Sequence, residues 1–154
     1  MQLELIANQL SAISTAIEDA SVEAYGDLSP SAVAALLTMR KQRSMSIGAV
    51  AGEIRLSHSA TVRLIDKLEK EWLVRRQKRR GREVMVELTA RGKRRASDLA
   101  QARQHVATKL LESLEEGERQ QLSSYFNIVL GQMDSPACAR FCESNPMSEL
   151  EMAD

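Results

Sequence analysis

The 154-residue chain is long enough for one domain, or for a small domain with dimerising appendages, and it is 44% hydrophobic and 27% charged, which suits a packed soluble core. Aromatic residues make up only 3%, which disfavours single-strand or RNA recognition by ring stacking, and no apolar run approaches the roughly 18 residues of a spanning helix. Net charge is zero, yet residues 63–95 hold 13 Lys+Arg against 5 Asp+Glu, a net of +8 balanced by −8 elsewhere, so positive charge is concentrated where it can meet phosphate.

The opening Met1-Gln-Leu-Glu-Leu-Ile carries no basic leader and no cleavage site, so no signal peptide is expected and a cytoplasmic location follows. Leu3, Ile6, Leu10, Ile13, Ile17, Ala20 and Ala24 recur three and four residues apart. That is a narrow heptad-like stripe, and it predicts one long helix over about 2–25. Gly26 suits the left-handed exit, and Ser29 caps a second helix with Pro30 at its first position, running to about residue 43. Ser46 caps a short helix to about residue 54. Arg55-Leu56 is a tight turn, and Ser57 caps the next helix, apolar at Ala60, Leu64, Ile65 and Leu68. Two helices joined in this way make a helix-turn-helix.

Residues 73–77 read as a strand. Val84, Val86 and Leu88 alternate with Met85 and Glu87 in a second, half-buried strand. The turn between them, residues 78–83, is very basic, and Gly81 supplies its permissive backbone. Thr89 caps a long helix apolar at Ala96, Leu99, Val106, Leu110 and Leu114. A last helix over about 118–133 presents Leu122, Tyr125, Phe126, Val129, Leu130 and Met133. Beyond Asp134 periodicity is lost. The expected fold class is mainly α with a small β-hairpin: a winged helix-turn-helix at 29–89, a helical dimerisation region from 1–28 and 90–134, and a tail at 135–154.

The run Leu56-Ser-His-Ser-Ala-Thr-Val-Arg-Leu-Ile-Asp-Lys-Leu-Glu-Lys, followed by Leu73-Val-Arg-Arg and Val84-Met-Val-Glu-Leu-Thr-Ala-Arg-Gly, resembles the MarR/SlyA family of bacterial winged-helix transcription regulators over about residues 2–133. The resemblance implies a homodimer with interlocked terminal helices, a recognition helix in the major groove and a wing in the minor groove. It also implies repression of nearby genes, relieved by a small phenolic or other anionic effector or by oxidation of a cysteine. Two positions depart from the family. Its wing often carries Asp-x-Arg, with the Arg in the minor groove and the Asp holding it; here the residues are Arg80-Gly81-Arg82, so Arg82 keeps its place without an acidic orienter. Trp72 stands where the family usually has Gly. A left-handed residue there would be strained by about 1 kcal/mol, and the expectation is a different local exit with Trp72 packed beneath the wing.

On this reading Ser57, His58, Ser59, Thr61, Val62 and Arg63 form the exposed, base-reading half of the recognition helix. Lys78, Arg79, Arg80 and Arg82 meet phosphate or the minor groove, and at most one of Arg75 and Arg76 points at DNA. Leu3, Ile6, Leu10, Ile13, Ile17, Leu122 and Phe126 are the expected dimer interface. Cys138 and Cys142, spaced to share a helical face, suit a thiol switch or half a metal site, or are inert thiols; two ligands do not close a zinc site. No cofactor is assigned. The chain has no Gly-rich phosphate loop, no G-x-S-x-G and no H-E-x-x-H, so an enzyme is not expected. The expected partners are double-stranded DNA, a second copy and a small effector, with no membrane. The alternative is a helical-dimer protein-interaction module with little DNA affinity.

Overall fold

A computed structural model describes residues 1–77, 81–133 and 140–141. Helix α1 (Gln2–Ser21) tightens into a 3-10 turn at Val22–Tyr25 and is followed by α2 (Pro30–Arg40), strand β1 (Met45–Ser46), α3 (Ile47–Ile54) and α4 (His58–Lys70). Strands β2 (Val74–Arg76) and β3 (Met85–Leu88) come next, then α5 (Ala90–Leu111) and α6 (Glu116–Gly131). The expected class, mainly helical with a small antiparallel sheet, is the class observed. None of the described helices is long and apolar enough to cross a membrane.

Capping sets most boundaries. Ser29, Ser46, Ser57 and Thr89 each stand just before a helix in extended backbone, and each hydroxyl accepts from the amide three residues on, at 3.0–3.2 Å. Gly26 takes φ +57, which L side chains rarely adopt. Its ψ of −126 differs from the left-handed helical exit that the sequence suggested. Helix α2 ends at Arg40, short of the expected 43.

The sheet has three strands in the order β1-β3-β2, not the two of a bare hairpin. Strand β1 pairs Met45 with Val86 and Ser46 with Met85, while β2 pairs Val74 with Leu88 and Arg76 with Val86. Two residues carry no visible period, so β1 left no signature in the sequence. The core lies between α2 and the sheet and under α4 and α5, where Leu36, Met39, Val50, Ile65, Leu68, Val74, Val86 and Leu99 are buried. Helix α2 is buried along most of its length, as befits the central helix of a small domain.

Helix α5 crosses the start of β2 at Gly92. A Cβ built there would lie 1.9 Å from the Leu73 carbonyl oxygen. Gly92→Ala must move α5 away from the strand, and destabilisation of about 1–3 kcal/mol is expected in chemical denaturation, as for an overpacked core. A variant as stable as the parent would show that α5 is free to shift.

Helix α1 is tied to α5 through one carboxylate. Glu18 accepts from Arg103 Nη1 at 2.6 Å and from the Tyr25 hydroxyl at 2.7 Å. The Arg103 hydrogen bond holds the Glu18 carboxyl below its ordinary value against the opposing effect of burial. A carboxyl with a depressed folded pKa adds stability above its unfolded pKa and loses it as pH falls through the folded one. The side chain is about half exposed, so the contribution is small. The melting-temperature difference between the parent and Glu18→Gln is expected at neutral pH and should shrink at acid pH, as pH falls through the lowered folded pKa. An equal difference at both pH values would remove Glu18 as its source.

Candidate nucleic-acid interface

The exposed surface of α4 and the end of the β2–β3 hairpin meet around one cleft of about 320 Å³, lined by His58, Val62, Arg76, Arg82 and Val84 among others. Sequence spacing alone does not bring His58 and Arg82 together. They meet because β2 leaves α4 through a tight exit and β3 returns beside it. His58, Ser59, Arg63 and Arg82 are exposed, and Val62 is half-buried against the core. Ser57 has its hydroxyl engaged as the cap of α4 and near Ser59 Oγ at 3.4 Å.

Thr61 is a correction. Residue type placed it on the exposed half of the recognition helix, but it is fully buried, at 0% exposure. Its hydroxyl donates to the Ser57 carbonyl at 2.8 Å. The side chain sits on the inner face of α4 with Ile65 and Leu68, one helical turn and two turns on, so it cannot reach a base edge. Lys78, Arg79 and Arg80 lie outside the described residues. So do Cys138 and Cys142. Gly81 is at φ +65, as its place in the turn requires.

Both strand arginines are engaged within the protein. Arg75 pairs with Glu87, its cross-strand partner. The Glu87 carboxyl is held below its usual value by hydrogen bonds from Gln77 and Arg75. Arg76 reaches back to α4: Nη1 donates to Glu69 Oε1 at 2.8 Å, Nη2 to Asp66 Oδ1 at 2.5 Å, and the Arg76 amide to Glu69 Oε2 at 3.2 Å. This two-carboxylate clamp fixes the start of the β2–β3 hairpin to α4. Sequence reasoning missed it, although Asp66 and Glu69 one turn apart on a helix were a usable signal.

Trp72 is a second correction. The left-handed exit does fall there, at φ +61, and the ring is 76% exposed instead of packed beneath the wing. The amide of Leu73 donates to the Leu68 carbonyl at 3.0 Å and that of Trp72 to the Glu69 carbonyl at 3.0 Å. These two bonds are a Schellman closure of α4 with a tryptophan in the position that favours glycine. The backbone geometry is therefore retained at a steric cost, because β2 has to begin at Leu73. Helix α3 ends similarly on Arg55, at φ 57.

The residues expected at a dimer interface divide into two groups. Leu3, Ile6, Leu10 and Ile13 are exposed on α1, as is Phe126 on α6, while Ile17 and Leu122 are half-buried. All but Leu3 line a cleft of about 640 Å³ between α1, α5 and α6, together with Leu110 and Leu111. Among the described residues, no group of three or more His, Cys, Asp and Glu is placed to hold a metal ion.

The MarR family model matches residues 28–81, from the residue before the α2 cap to the turn of the wing. The chain is similar to the solved structure of a MarR family protein from Bacillus stearothermophilus, at 20% identity over 86% of this chain and 95% of that one, with a TM-score of 0.79. It is similar to the YusO protein from Bacillus subtilis at 20% identity, over 86% and 96% of the two chains, with a TM-score of 0.70. It is also similar to a point mutant of MepR from S. aureus bound to an oligodeoxyribonucleotide, at 17% identity over 82% and 96%, with a TM-score of 0.60. At these identities the likeness is one of fold. No curated protein matches the chain.

The exposed Trp72 side chain buries little surface to offset its left-handed backbone. Trp72→Gly is expected to raise stability by about 1 kcal/mol in denaturant titration. A loss of stability would mean that the indole makes a contact worth more than the strain.

Proposed function

We propose that this chain is a homodimeric, DNA-binding transcriptional regulator of the MarR type. Helix α4 enters the major groove with His58, Ser59, Val62 and Arg63 toward the base edges and Ser57 near the backbone, and the wing brings Arg82, with Lys78, Arg79 and Arg80, to phosphate or the minor groove. The observation that carries this reading is the meeting of His58 and Arg82 at one exposed cleft, within a segment of net charge +8 in an otherwise acidic chain. The likeness to a fold relative bound to an oligodeoxyribonucleotide supports it. Exposed apolar surface on α1 and α6 supports the dimer, since a cleft lined by Ile6, Leu10, Ile13 and Phe126 is ordinarily covered by protein. The two recognition helices then address a pseudo-palindromic duplex with half-sites about one turn, roughly 34 Å, apart. Repression and release by a small phenolic or anionic effector, or by oxidation of a cysteine, follow from the family resemblance; a cytoplasmic setting and a thiol or metal role for Cys138 and Cys142, spaced to share a helical face, belong to the same proposal.

Selection of bound fragments from genomic DNA, followed by titration at two salt concentrations, tests the reading. Arg82→Ala should weaken binding more than about tenfold with the dimer intact, as loss of an inserted or phosphate-paired arginine costs about 1–3 kcal/mol. His58→Ala should change which sequences are preferred, and Lys78→Ala should lower affinity for all of them and reduce the salt slope by about one. Failure to retain any duplex would favour a helical protein-interaction module. Leu10→Asp/Ile13→Asp should give monomers or insoluble protein in sedimentation, and a soluble, folded dimer would place the interface elsewhere.

A further inference from the structure

Arg140 and Phe141 touch three helices that precede them in the chain, and the Arg140 partners are 87 to 102 positions away. The Arg140 side chain donates from Nε to Thr38 Oγ1 on α2 at 3.2 Å and from Nη2 to the Glu53 carbonyl on α3 at 2.7 Å. The Arg140 carbonyl in turn accepts from Arg40 Nη2, at the end of α2, at 3.3 Å. Phe141 lies under the Arg103 guanidinium of α5, 5.0 Å from ring centroid to the guanidinium carbon. That is cation–π range. Arg103 is already fixed by Glu18 of α1. One dipeptide therefore holds α2 and α3 with its first residue and α5 with its second, and Phe141 lines a cleft of about 360 Å³ with Ile17, Arg40, Ala100 and Arg103.

We infer that Arg140 and Phe141 form a strap that locks the helix-turn-helix onto α5 and so sets the pose of recognition helix α4. The Glu53 carbonyl belongs to the last turn of α3, where carbonyls lack partners within the helix, and a cation placed there also complements the helix dipole. Thr38 donates its own proton to the Ala34 carbonyl at 2.7 Å, which leaves its oxygen free to accept from Arg140. Two residues beyond Glu53 the chain turns through left-handed Arg55 into the cap of α4. The strap grips the turn that aims the recognition helix. Arg140 is a positioning residue: it lies behind the DNA-facing surface and acts through α3. Without it the helix-turn-helix is free to rock on α5, and a smaller fraction of dimers holds both α4 helices at the spacing of one duplex turn.

The functional half of this inference rests on the DNA-binding reading, and the structural half does not. Full-length Arg140→Ala/Phe141→Ala is compared with the parent by amide hydrogen exchange, by sedimentation and by titration with a selected duplex, with Arg140→Lys as the conservative variant. Exchange at Arg55 and Leu56 should quicken about fivefold or more, the dimer mass should be unchanged, and duplex affinity should fall about fivefold or more. Arg140→Lys, which keeps the charge but not the forked donors, should lie between the two. Unchanged exchange overturns the strap whatever the affinity. Faster exchange with unchanged or tighter duplex binding overturns its positioning role. If the parent retains no duplex, the DNA-binding reading fails and exchange alone decides whether the strap exists.

Discussion

The backbone of Trp72 and Leu73 is the point where α4, the β2–β3 hairpin and α5 are joined. The Leu73 amide closes α4 on the Leu68 carbonyl, and the Leu73 carbonyl accepts from the amide of Thr89, the cap of α5. The Thr89 hydroxyl donates to the Trp72 carbonyl at 2.5 Å while accepting from Gly92. Gly92 then lets α5 pass with no side chain between it and the strand. Four polar groups and one missing Cβ thus tie three elements within two residues of chain. The strain of a left-handed tryptophan persists because this junction over-determines the backbone. A looser exit would let β2 and α5 separate from α4, and the hairpin would lose its fixed relation to that helix.

The wing's root is fixed a second time by electrostatics. Arg76 spans Asp66 and Glu69, and the carboxylates raise the already high pKa of its guanidinium, with the Asp66 hydrogen bond the largest cause. The group stays charged at any pH at which the fold survives. Its worth lies in geometry more than energy, because partly exposed ion pairs contribute little net stability. A forked guanidinium bonded to two carboxylates on successive turns of α4 sets the direction of β2, and the backbone amide of Arg76 adds a third point.

Much of this was legible in the sequence because it is written locally. Ser29, Ser46, Ser57 and Thr89 announced their helices, since a cap and its amide lie three residues apart. The stripe on α1 announced an amphipathic helix with an uncovered face. What stayed hidden depends on contacts between distant segments. Strand β1 is defined only by pairing with β3, forty residues on. Thr61 looks like a hydroxyl available to DNA because its residue type suits that role; its position one turn before Ile65, on the buried face, argues otherwise and is the stronger signal. Residue type alone assigns Trp72 to the interior, whereas the geometry of the α4 exit decides its conformation and leaves the ring outside. The grip of Arg140 on Thr38 and Glu53 had no local mark at all.

Net charge over a segment therefore overstates the surface it offers to phosphate. Of the basic residues between 63 and 95, Arg75 and Arg76 are paired with carboxylates, and Arg95 donates to the Ala24 and Tyr25 carbonyls at 3.0 and 2.8 Å, ending the 3-10 turn after α1. These three are engaged within the domain. Arg63 and Arg82, by contrast, are exposed on the two elements that flank the cleft, with the polar half of α4 between them. The same side-chain chemistry serves both ends, and geometry separates them. Arginines facing a carboxylate or a helix end hold the scaffold still, which leaves Arg82 at a fixed spacing from Arg63 on α4.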